Sequence, residues 1–431
     1  MNKILIIALA FVMATGCGVE PYGPLPSEAQ LQWQDMEYYM FCHFGPNTFS
    51  GLEWGLGSED PDIFAPEDLD CDQWAATAAA AGMKGIVITA KHHDGFCLWP
   101  SAYSEHTVAQ SAWRDGKGDV LAELREACDK YGLKFGVYIS PWDRNHPSYG
   151  TEAYNEIFAS TIAEVHSKYG PIYEQWFDGA NGGARIPDYD WNLFNSTVYE
   201  YSPDAVIFSD VGPGCRWVGN ERGYAGETNW CLLDTEGFTP GAGSPPADTL
   251  NCGNARGANW VPAECDVSIR AGWFNSPEND STIKSVDDLM GIWFGSVGRG
   301  ANLILNVPPD RTGHIPAADS LRLMEFKAAR DAYFKDCIAS AKPGKSGYEL
   351  ALNTPSEAKC VVLAEDLSYG QRVKSFIIEA LIAGKWEKVS EGTTIGHKRI
   401  LRFDAPVSAK KIRVRVTDAY AAPLLTTFEI Y

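Results

Sequence analysis

Between residues 36 and 310 the sequence alternates short apolar runs with longer stretches of helical periodicity. Two of the longer stretches, Asp119 to Tyr131 and Ala153 to Tyr169, place apolar residues three and four positions apart. Strand-like and helical segments in strict alternation indicate parallel strand pairing. The apolar runs are YYMFCHFG, GIVITA, KFGVYIS, YEQWFDG, AVIFSD, a weaker one around RGYAGETNW, CDVSI and NLILNV.

Eight such runs predict an α/β fold with a (β/α)8 TIM-like barrel, and no G-x-G-x-x-G follows the first run to favour a doubly wound sheet. After about residue 340 the pattern changes to short, often alternating β runs such as KSFIIEALI and KKIRVRVTD. These runs are typical of a β-sandwich. The sequence therefore predicts a barrel over residues 36–339 and a C-terminal β-sandwich domain over residues 345–431, which we expect to brace the barrel.

The N-terminus, MNKILIIALAFVMATGC, has one Lys, an apolar run too short to span a membrane stably, and small residues before Cys17. This pattern predicts a signal peptide over residues 1–16. The ending ATGC resembles the cleavage box of bacterial lipoproteins, although Ala14 stands where Leu is usual, and it predicts lipidation of Cys17. Ordinary signal cleavage is the alternative. Residues 17–35 would form a tether, and the protein would be an exported periplasmic or cell-surface lipoprotein of a bacterium.

The formal net charge of −20 argues against nucleic acid or an anionic membrane surface as a partner, because such binding depends on basic residues. We expect contact with a membrane only through the lipid anchor. A neutral substrate fits better, and the 14 Trp and 19 Tyr offer aromatic faces suited to sugars, with an aromatic-rich core as the alternative. The ten cysteines besides Cys17 lack C-x-x-C pairs and zinc spacing, and most should be buried small hydrophobes.

Polar side chains stand where the predicted strands end, which is the edge at which a barrel builds its active site. The first strand ends at His43, the second at His92 and His93, and the third in the stretch that begins at Tyr138. The fourth ends at Asp178, and a carboxylate at a core strand tip is costly unless it is paired. Capping of the next helix is a frequent use of Asp, but the histidines on two neighbouring strands favour chemistry.

Two mechanisms could use these groups. His43, His92, His93 and Asp178 could hold a metal, but the first strand has no H-x-H and the later strand ends offer no further histidine, so we expect neither metal nor cofactor. The other mechanism needs two carboxyl groups, about 5 to 5.5 Å apart in a retaining glycosidase. Asp178 is the natural nucleophile. The candidates for its partner are Glu221, Glu227 and Glu264.

The motifs HFGPNTF, EWG, TAKHHDGFCLWPS, KFGVYISPWD, WFDGA and SVGRGANLILNVPPDRTG together resemble the α-L-fucosidases of glycoside hydrolase family 29. The resemblance implies retaining double displacement, with Asp178 forming a fucosyl-enzyme and a second carboxyl group acting as acid and then base. It implies a fucosylated oligosaccharide or glycoprotein glycan as partner. The positions implied to contact fucose or to line its pocket are His43, Glu53, Trp54, His92, His93, Tyr138, Trp176 and Trp273.

The acid/base is the less certain residue, because members of the family take it from different places in the chain. RWVGNERGYAGETNW and ECDVSIRAGWF resemble the subfamily that prefers α-1,3/4-linked fucose in branched, Lewis-type glycans. In that subfamily the glutamate of GNE is the acid/base, which favours Glu221. Glu227 would then lie at the tip of strand six as a substrate contact. The alternative function is an inactive relative that binds fucosylated glycans as a lipoprotein.

Overall fold

The computed structural model describes residues 19–182, 188–341 and 348–431, with the backbone alone for residues 353–355. The predicted signal peptide and Cys17 lie outside the described residues, as does most of the segment 340–347 at which the sequence pattern changes. Within the described ranges, no helix is long and apolar enough to cross a membrane.

Eight parallel strands close into a barrel. The first ten strands of the chain are β1 (Tyr38–Cys42), β2 (Gly85–Lys91), β3 (Lys134–Ile139), β4 (Glu174–Trp176), β5 (Val206–Ser209), β6 (Cys215–Trp217), β7 (Leu232–Leu233), β8 (Asn259–Trp260), β9 (Ala263–Ser268) and β10 (Asn302–Asn306). The barrel order is β1-β10-β9-β6-β5-β4-β3-β2, while β7 and β8 form a separate antiparallel pair. The prediction of a TIM-like barrel is confirmed.

The helices lie between the barrel strands, as the alternating pattern predicts. In the described residues they are α1 (Glu28–Gln34), α2 (Pro46–Ser50), α3 (Cys71–Ala80), α4 (Val120–Tyr131), α5 (Ala153–Tyr169), α6 (Trp191–Tyr201), α7 (Ala247–Cys252), α8 (Val286–Gly295) and α9 (Ala317–Tyr333). The helix α4 illustrates how the sequence sets the ends of a helix. Asp119 caps its start by accepting the Ala122 N–H at 3.0 Å, and Gly132, in the left-handed region, ends it. Its face containing Leu121 and Leu124 is buried against the barrel core.

The sixth strand is not where the sequence predicts it. The run RGYAGETNW, residues 222–230, contains no strand, and β6 is formed by Cys215–Trp217 instead. No helix separates β5 from β6: the chain turns back within residues 210–214, and the Gly214 N–H donates to the Ile207 carbonyl at 2.9 Å. A Cβ on Gly214 would lie 2.4 Å from the Ile207 nitrogen, so the turn requires glycine. A three-residue strand is too short to show periodicity.

The segment predicted as a tether contains a helix that packs on the barrel. Ser27 and Gln30 form a capping box at the start of α1, with hydrogen bonds of 3.0 and 3.1 Å. The Gln30 amide donates to the Gly214 and Trp260 carbonyls at 2.7 and 2.9 Å. Trp33 is 2% exposed. Residues 28–34 therefore belong to the folded domain.

The C-terminal domain is antiparallel, as predicted. Its strands are β11 (Ala339–Ala341), β12 (Glu349–Glu365), β13 (Val373–Ile382), β14 (Lys385–Gly392), β15 (Arg399–Ala419) and β16 (Leu425–Ile430). The long strands β12 and β15 pair with each other, with register shifts along the way. Next to β12 lie β16 and then β11, and next to β15 lie β13 and then β14. Residues of β12, β13, β15 and β16 form one buried core. Because β11 starts at Ala339, this domain begins earlier than residue 345.

Both polar and apolar contacts join the C-terminal domain to the barrel. The Gln371 side chain accepts the Cys231 N–H at 2.7 Å and donates to the Asn229 carbonyl at 3.0 Å. Ile400 lies against Gly298, where an added Cβ would come within 3.3 Å. These contacts support the expected bracing role. All ten cysteines in the described residues are free, and eight of them are buried.

Candidate active site

The predicted strand-end residues lie together at the C-terminal edge of the barrel. His43 directly follows β1, and His92 and His93 directly follow β2. The ring centroids of His43 and His92 are 5.7 Å apart, and those of His92 and His93 are 4.2 Å apart. Tyr138, near the end of β3, stacks on His92 at 5.5 Å. Asp178 follows β4 and is reached from the same side.

Asp178 is held by two hydrogen-bond donors. The Tyr138 hydroxyl donates to its Oδ2 at 3.0 Å, and the Ala180 N–H donates to its Oδ1 at 2.7 Å. Burial and the charge of Asp178 raise the pKa of Tyr138 well above its usual range, so this phenol remains a donor. The Asp178 side chain keeps about a quarter of its surface exposed, at 25%. It is therefore an oriented carboxylate that faces an open pocket.

His43 is a neutral imidazole with an assigned tautomer. Burial lowers the pKa of His43 to about 3. Its Nδ1 lies 2.9 Å from the Oδ1 of Asn306, whose Nδ2 donates to Ser268 and to the Trp273 carbonyl. The Asn306 oxygen must therefore accept the Nδ1–H, which leaves Nε2 of His43 as a hydrogen-bond acceptor.

The tautomer of His93 can be assigned in the same way. Its Nδ1 lies 2.7 Å from the Ser140 hydroxyl, which itself donates to the Trp142 carbonyl at 2.8 Å. The hydroxyl oxygen accepts the Nδ1–H, and Nε2 lies 3.7 Å from Oδ2 of Asp178, which is too far for a hydrogen bond. Burial lowers the pKa of His93 despite the opposing charge of Asp178. Burial also lowers the pKa of His92 well below its usual value, and Nδ1 of His92 has no hydrogen-bond partner among the described residues.

Stacked rings form the base of the pocket. Trp176 lies against Phe208 with the ring centroids 4.0 Å apart and the planes 8° apart. It also stacks on Tyr138 at 5.2 Å and tilts against Phe41 at 5.1 Å. Because these four aromatic rings adjoin the histidine rings, the pocket has apolar walls with polar atoms at fixed places, as sugar binding requires. The rings of Trp54 and Trp142 continue the wall beside His93.

Glu221 lies in the loop after β6, on the far side of β5 from Asp178. Desolvation of its carboxyl group and the nearby charge of Asp178 raise the pKa of Glu221, against the lowering effect of a hydrogen bond from the Trp273 side chain, although the residue as a whole is exposed. Trp273 also stacks on His43 at 5.0 Å, and its backbone N–H donates to Oε1 of Glu53 at 2.5 Å. Trp273 therefore links Glu221, Glu53 and the histidine cluster.

The other two candidates for the acid/base lie elsewhere. Glu227 is not at a strand tip: its carboxylate pairs with Arg299 and with Arg399, at 2.8 Å from the latter, beside the C-terminal domain. We correct its predicted role as a substrate contact, since it links the two domains. Glu264 is fully buried at the start of β9, at the end of the barrel opposite Asp178. It cannot reach a leaving group above Asp178.

The histidines and Asp178 do not converge as metal ligands. A metal site would need at least three ligand atoms close together. Among the described residues, only Glu174, Cys215 and Glu264 bring three ligand atoms within 4.8 Å of one another. That group is inside the barrel and away from the pocket.

Several residues of the site were not identified from the sequence. Asn306 is the last residue of β10, so it shares with Asp178 a polar side chain at the end of a barrel strand. Asp210 directly follows β5, next to Asp178, and burial together with the charge of Asp178 raises the pKa of Asp210 to about 6. Phe274 packs edge-on against His43 and His92 at 5.4 and 5.0 Å, a contact that no local pattern signals.

A parallel barrel that presents an oriented carboxylate and a second carboxyl group of raised pKa around an aromatic pocket has the elements of a glycoside hydrolase. Residues 27–328 match the family model for alpha-L-fucosidase. The chain is 40% identical to putative alpha-L-fucosidase 1 of Oryza sativa subsp. japonica, over 95% of this chain and 86% of the rice protein. It therefore belongs to the α-L-fucosidase family, glycoside hydrolase family 29, and is a hydrolase.

Solved structures agree. A glycoside hydrolase 29 family member from an unknown rumen bacterium is 42% identical, with a TM-score of 0.90 over 96% of this chain and 78% of that chain. A Ruminococcus gnavus glycoside hydrolase 29 fucosidase in complex with fucose is 29% identical, with a TM-score of 0.84 over 96% of both chains. The barrel and the C-terminal domain are thus both shared with relatives.

Proposed function

We propose that this α-L-fucosidase is an exported, retaining enzyme that releases α-1,3/4-linked L-fucose from branched, Lewis-type glycans. The proposal depends on one observation about two carboxyl groups. Tyr138 orients Asp178 by a hydrogen bond, and the negative charge of Asp178 helps to raise the pKa of Glu221. One carboxyl group that is ionised and one that retains its proton are what double displacement needs at its start.

In the first step, a carboxylate oxygen of Asp178 attacks the anomeric carbon of fucose. The bond from that carbon to the leaving oxygen breaks, and Glu221 gives its proton to this oxygen. The Tyr138 hydroxyl and the Ala180 N–H hold the nucleophile in place during the attack. The products are a fucosyl ester on Asp178 and a free acceptor sugar.

In the second step, Glu221 takes a proton from water, and the water oxygen displaces Asp178 from the anomeric carbon. The switch in role has an electrostatic cause: the ester has no negative charge, so the Asp178 charge that raises the pKa of Glu221 is removed. Glu221 therefore stays ionised after it has given up its proton, and its carboxylate is available to take a proton from water. Both inversions at the anomeric carbon together give retained configuration.

The histidines would recognise the fucose hydroxyls as acceptors. The Nδ1 hydrogen bonds of His43 and His93, to Asn306 and Ser140, leave each Nε2 free to accept a hydroxyl proton. The rings of Trp176 and Trp273 would contact the apolar face and the methyl group of the sugar. Neutral acceptors suit an uncharged sugar.

The branched-glycan part of the proposal rests on the loops at the barrel rim. Glu221 stands in the sequence GNE, which resembles the subfamily with α-1,3/4 preference. Trp54 is 54% exposed beside Trp142, and Leu52 and Leu56 are also exposed on the same loop. This apolar surface next to the pocket offers a stacking face to a second sugar of a branched substrate.

A glycan panel tests linkage preference. We expect purified wild-type protein to release fucose from a Lewis-type trisaccharide at least about tenfold faster than from 2′-fucosyllactose, since a difference of about 1.4 kcal/mol in transition-state binding suffices. An aryl α-L-fucoside reports activity without linkage preference. Preferential cleavage of 2′-fucosyllactose would contradict the branched-linkage proposal, and fucose binding without turnover on all three would favour the inactive glycan-binding alternative.

Export and lipidation follow from the N-terminal pattern and are proposed on that ground alone. In a bacterial host supplied with a clickable palmitate analogue, we expect the wild-type chain to be labelled and found in the membrane fraction. The Cys17→Ala variant should be exported, unlabelled and recovered in the soluble fraction. Cys42→Ala is the matched control and should keep the label, and equal labelling of Cys17→Ala would contradict the anchor.

A further inference from the structure

Two carboxyl groups that the mechanism does not use lie inside the barrel, at the end opposite the pocket. Glu174 begins β4 and Glu264 lies near the start of β9, and both are fully buried. Ligand atoms of these two residues and of Cys215 lie within 4.8 Å of one another. Two adjacent carboxylates in such a site cannot both be ionised without a cation to balance them.

The two carboxyl groups differ in the hydrogen bonds that they accept. The Tyr39 hydroxyl and the Trp176 indole N–H, the latter at 2.9 Å, donate to the two oxygens of Glu264. Glu174 receives one donor, the Trp33 indole N–H at 3.2 Å, and its other oxygen accepts no hydrogen bond from the described residues. Burial and the charge of Glu264 raise the pKa of Glu174 well above its usual range. Burial raises the pKa of Glu264 as well, and Glu174, which has fewer donors, is the group of the pair that holds its proton more strongly.

The other titratable groups packed around the pair do not supply a balancing charge. Tyr39, Tyr173 and Cys215 are buried, and burial raises the pKa of each well above its usual range, so all three are neutral. Arg216 directs its guanidinium to the carbonyls of Leu250 and Val261 and to the Asn229 side chain. Glu264, which receives a donor on each of its two oxygens, is therefore the better hydrogen-bond acceptor of the pair.

Glu264 is connected to the sugar pocket through one side chain. The indole that donates to Glu264 belongs to Trp176, the ring that stacks on Phe208 and on Tyr138. Tyr138 in turn donates to the nucleophile Asp178 at 3.0 Å. The indole N–H gives Trp176 a fixed depth and rotation in the barrel, which stacking alone does not define.

We propose that Glu264 is a positioning residue: its buried carboxyl group, which accepts the Trp176 indole N–H at 2.9 Å, fixes this ring at the base of the fucose pocket. The inference rests on the proposed function, because it assumes that Trp176 contacts the sugar. It assigns to Glu264 an indirect role in place of the acid/base role considered from the sequence.

The test compares variants that remove or keep the acceptor. Glu264→Met removes it, and we expect KM for an aryl α-L-fucoside and the inhibition constant of L-fucose each to rise about tenfold, as loss of a buried hydrogen bond allows. Glu264→Gln keeps an oxygen for the indole and should restore most of this binding. In a Trp176→Phe background, Glu264→Met should add less than twofold, because the partner is already gone.

A structural control separates positioning from general destabilisation. Glu365→Gln alters another fully buried carboxyl group, which accepts backbone N–H groups in the C-terminal domain. It should lower Tm without changing KM. If Glu264→Met does not fold, the indole proton of Trp176 decides in ¹⁵N-tryptophan-labelled wild-type protein, where Trp176→Phe assigns it. We expect it downfield and protected from exchange.

The outcomes are distinct. An unchanged KM in folded Glu264→Met, or an exchanging Trp176 indole proton, would overturn the positioning role. One bound metal equivalent in purified wild-type protein, lost in Glu174→Gln, would also overturn it, since the Glu264 oxygens would then bind a cation. If wild-type protein does not hydrolyse the aryl fucoside at all, the proposed function fails instead, and the indole measurement still tests the Glu264 contact.

Discussion

The Asp178→Asn variant is expected to lose fucose release by about 10⁴-fold or more in kcat, on every fucoside tested. The amide has the size of the carboxylate and can keep both contacts, accepting from Ala180 and meeting the Tyr138 hydroxyl, so the fold should be unaffected. What it lacks is a nucleophilic oxygen anion. Steady-state rates on an aryl α-L-fucoside, with thermal unfolding measured alongside, give the result.

Asp210→Asn is the matched control, because Asp210 ends the neighbouring strand and lies close enough for Asp178 to raise its pKa. Its loss should cost less than about tenfold in kcat, since it makes only weak contacts with the Gly241 N–H at 3.3 Å. With sodium azide, Asp178→Gly should recover turnover and yield the β-fucosyl azide, the product of a single inversion. Equal losses in Asp178→Asn and Asp210→Asn would contradict the assignment of the nucleophile.

Glu221→Gln is expected to lower kcat/KM on a Lewis-type trisaccharide by about 10³-fold, which is within the usual contribution of general acid catalysis. A sugar is a poor leaving group and needs the proton. An aryl fucoside with an acidic phenol does not, so its first step should be much less affected and the fucosyl-enzyme should accumulate as a burst of phenol. This contrast between two leaving groups distinguishes an acid/base from a residue that only binds substrate.

The pH profile supplies a second readout for Glu221. Its protonated form is the active one in the first step, and its pKa is raised, so wild-type kcat/KM should fall as the pH rises through that pKa. Glu221→Gln should remove this alkaline decline. Glu227→Gln, in the domain contact, should keep both the decline and the rate. Near-normal cleavage of the trisaccharide by Glu221→Gln would contradict the assignment.

Most of the fold can be predicted because its signals are local. Seven of the eight predicted strand runs form barrel strands, and α5 begins and ends at Ala153 and Tyr169 as the periodicity indicates. The sixth strand fails for a physical reason: β6 pairs with β5 after a turn of five residues, and the aromatic run after it is loop. A strand defined by its neighbours and by one glycine leaves no periodic trace in the sequence.

The residues of the site also divide into those that the sequence predicts and those that it does not. Residues at strand ends, such as His43, His93 and Asp178, can be found by counting along each run, because all parallel strands present their ends at one edge. Glutamates in loops and strand interiors cannot. Glu221 and Glu227 lie six residues apart in one loop. The charge of Asp178 acts on Glu221, whereas Glu227 forms ion pairs with two arginines. Only the path of the chain separates them.

The most direct test of the account is to trap the covalent intermediate. Incubation with 2-deoxy-2-fluoro-α-L-fucosyl fluoride should leave one fluorofucosyl group per protein molecule, because the fluorine slows both steps while the fluoride leaving group needs no acid. Peptide mapping by mass spectrometry should place the label on Asp178. A label on another carboxylate, or no label in protein that still hydrolyses the aryl fucoside, would contradict a retaining mechanism with Asp178 as its nucleophile.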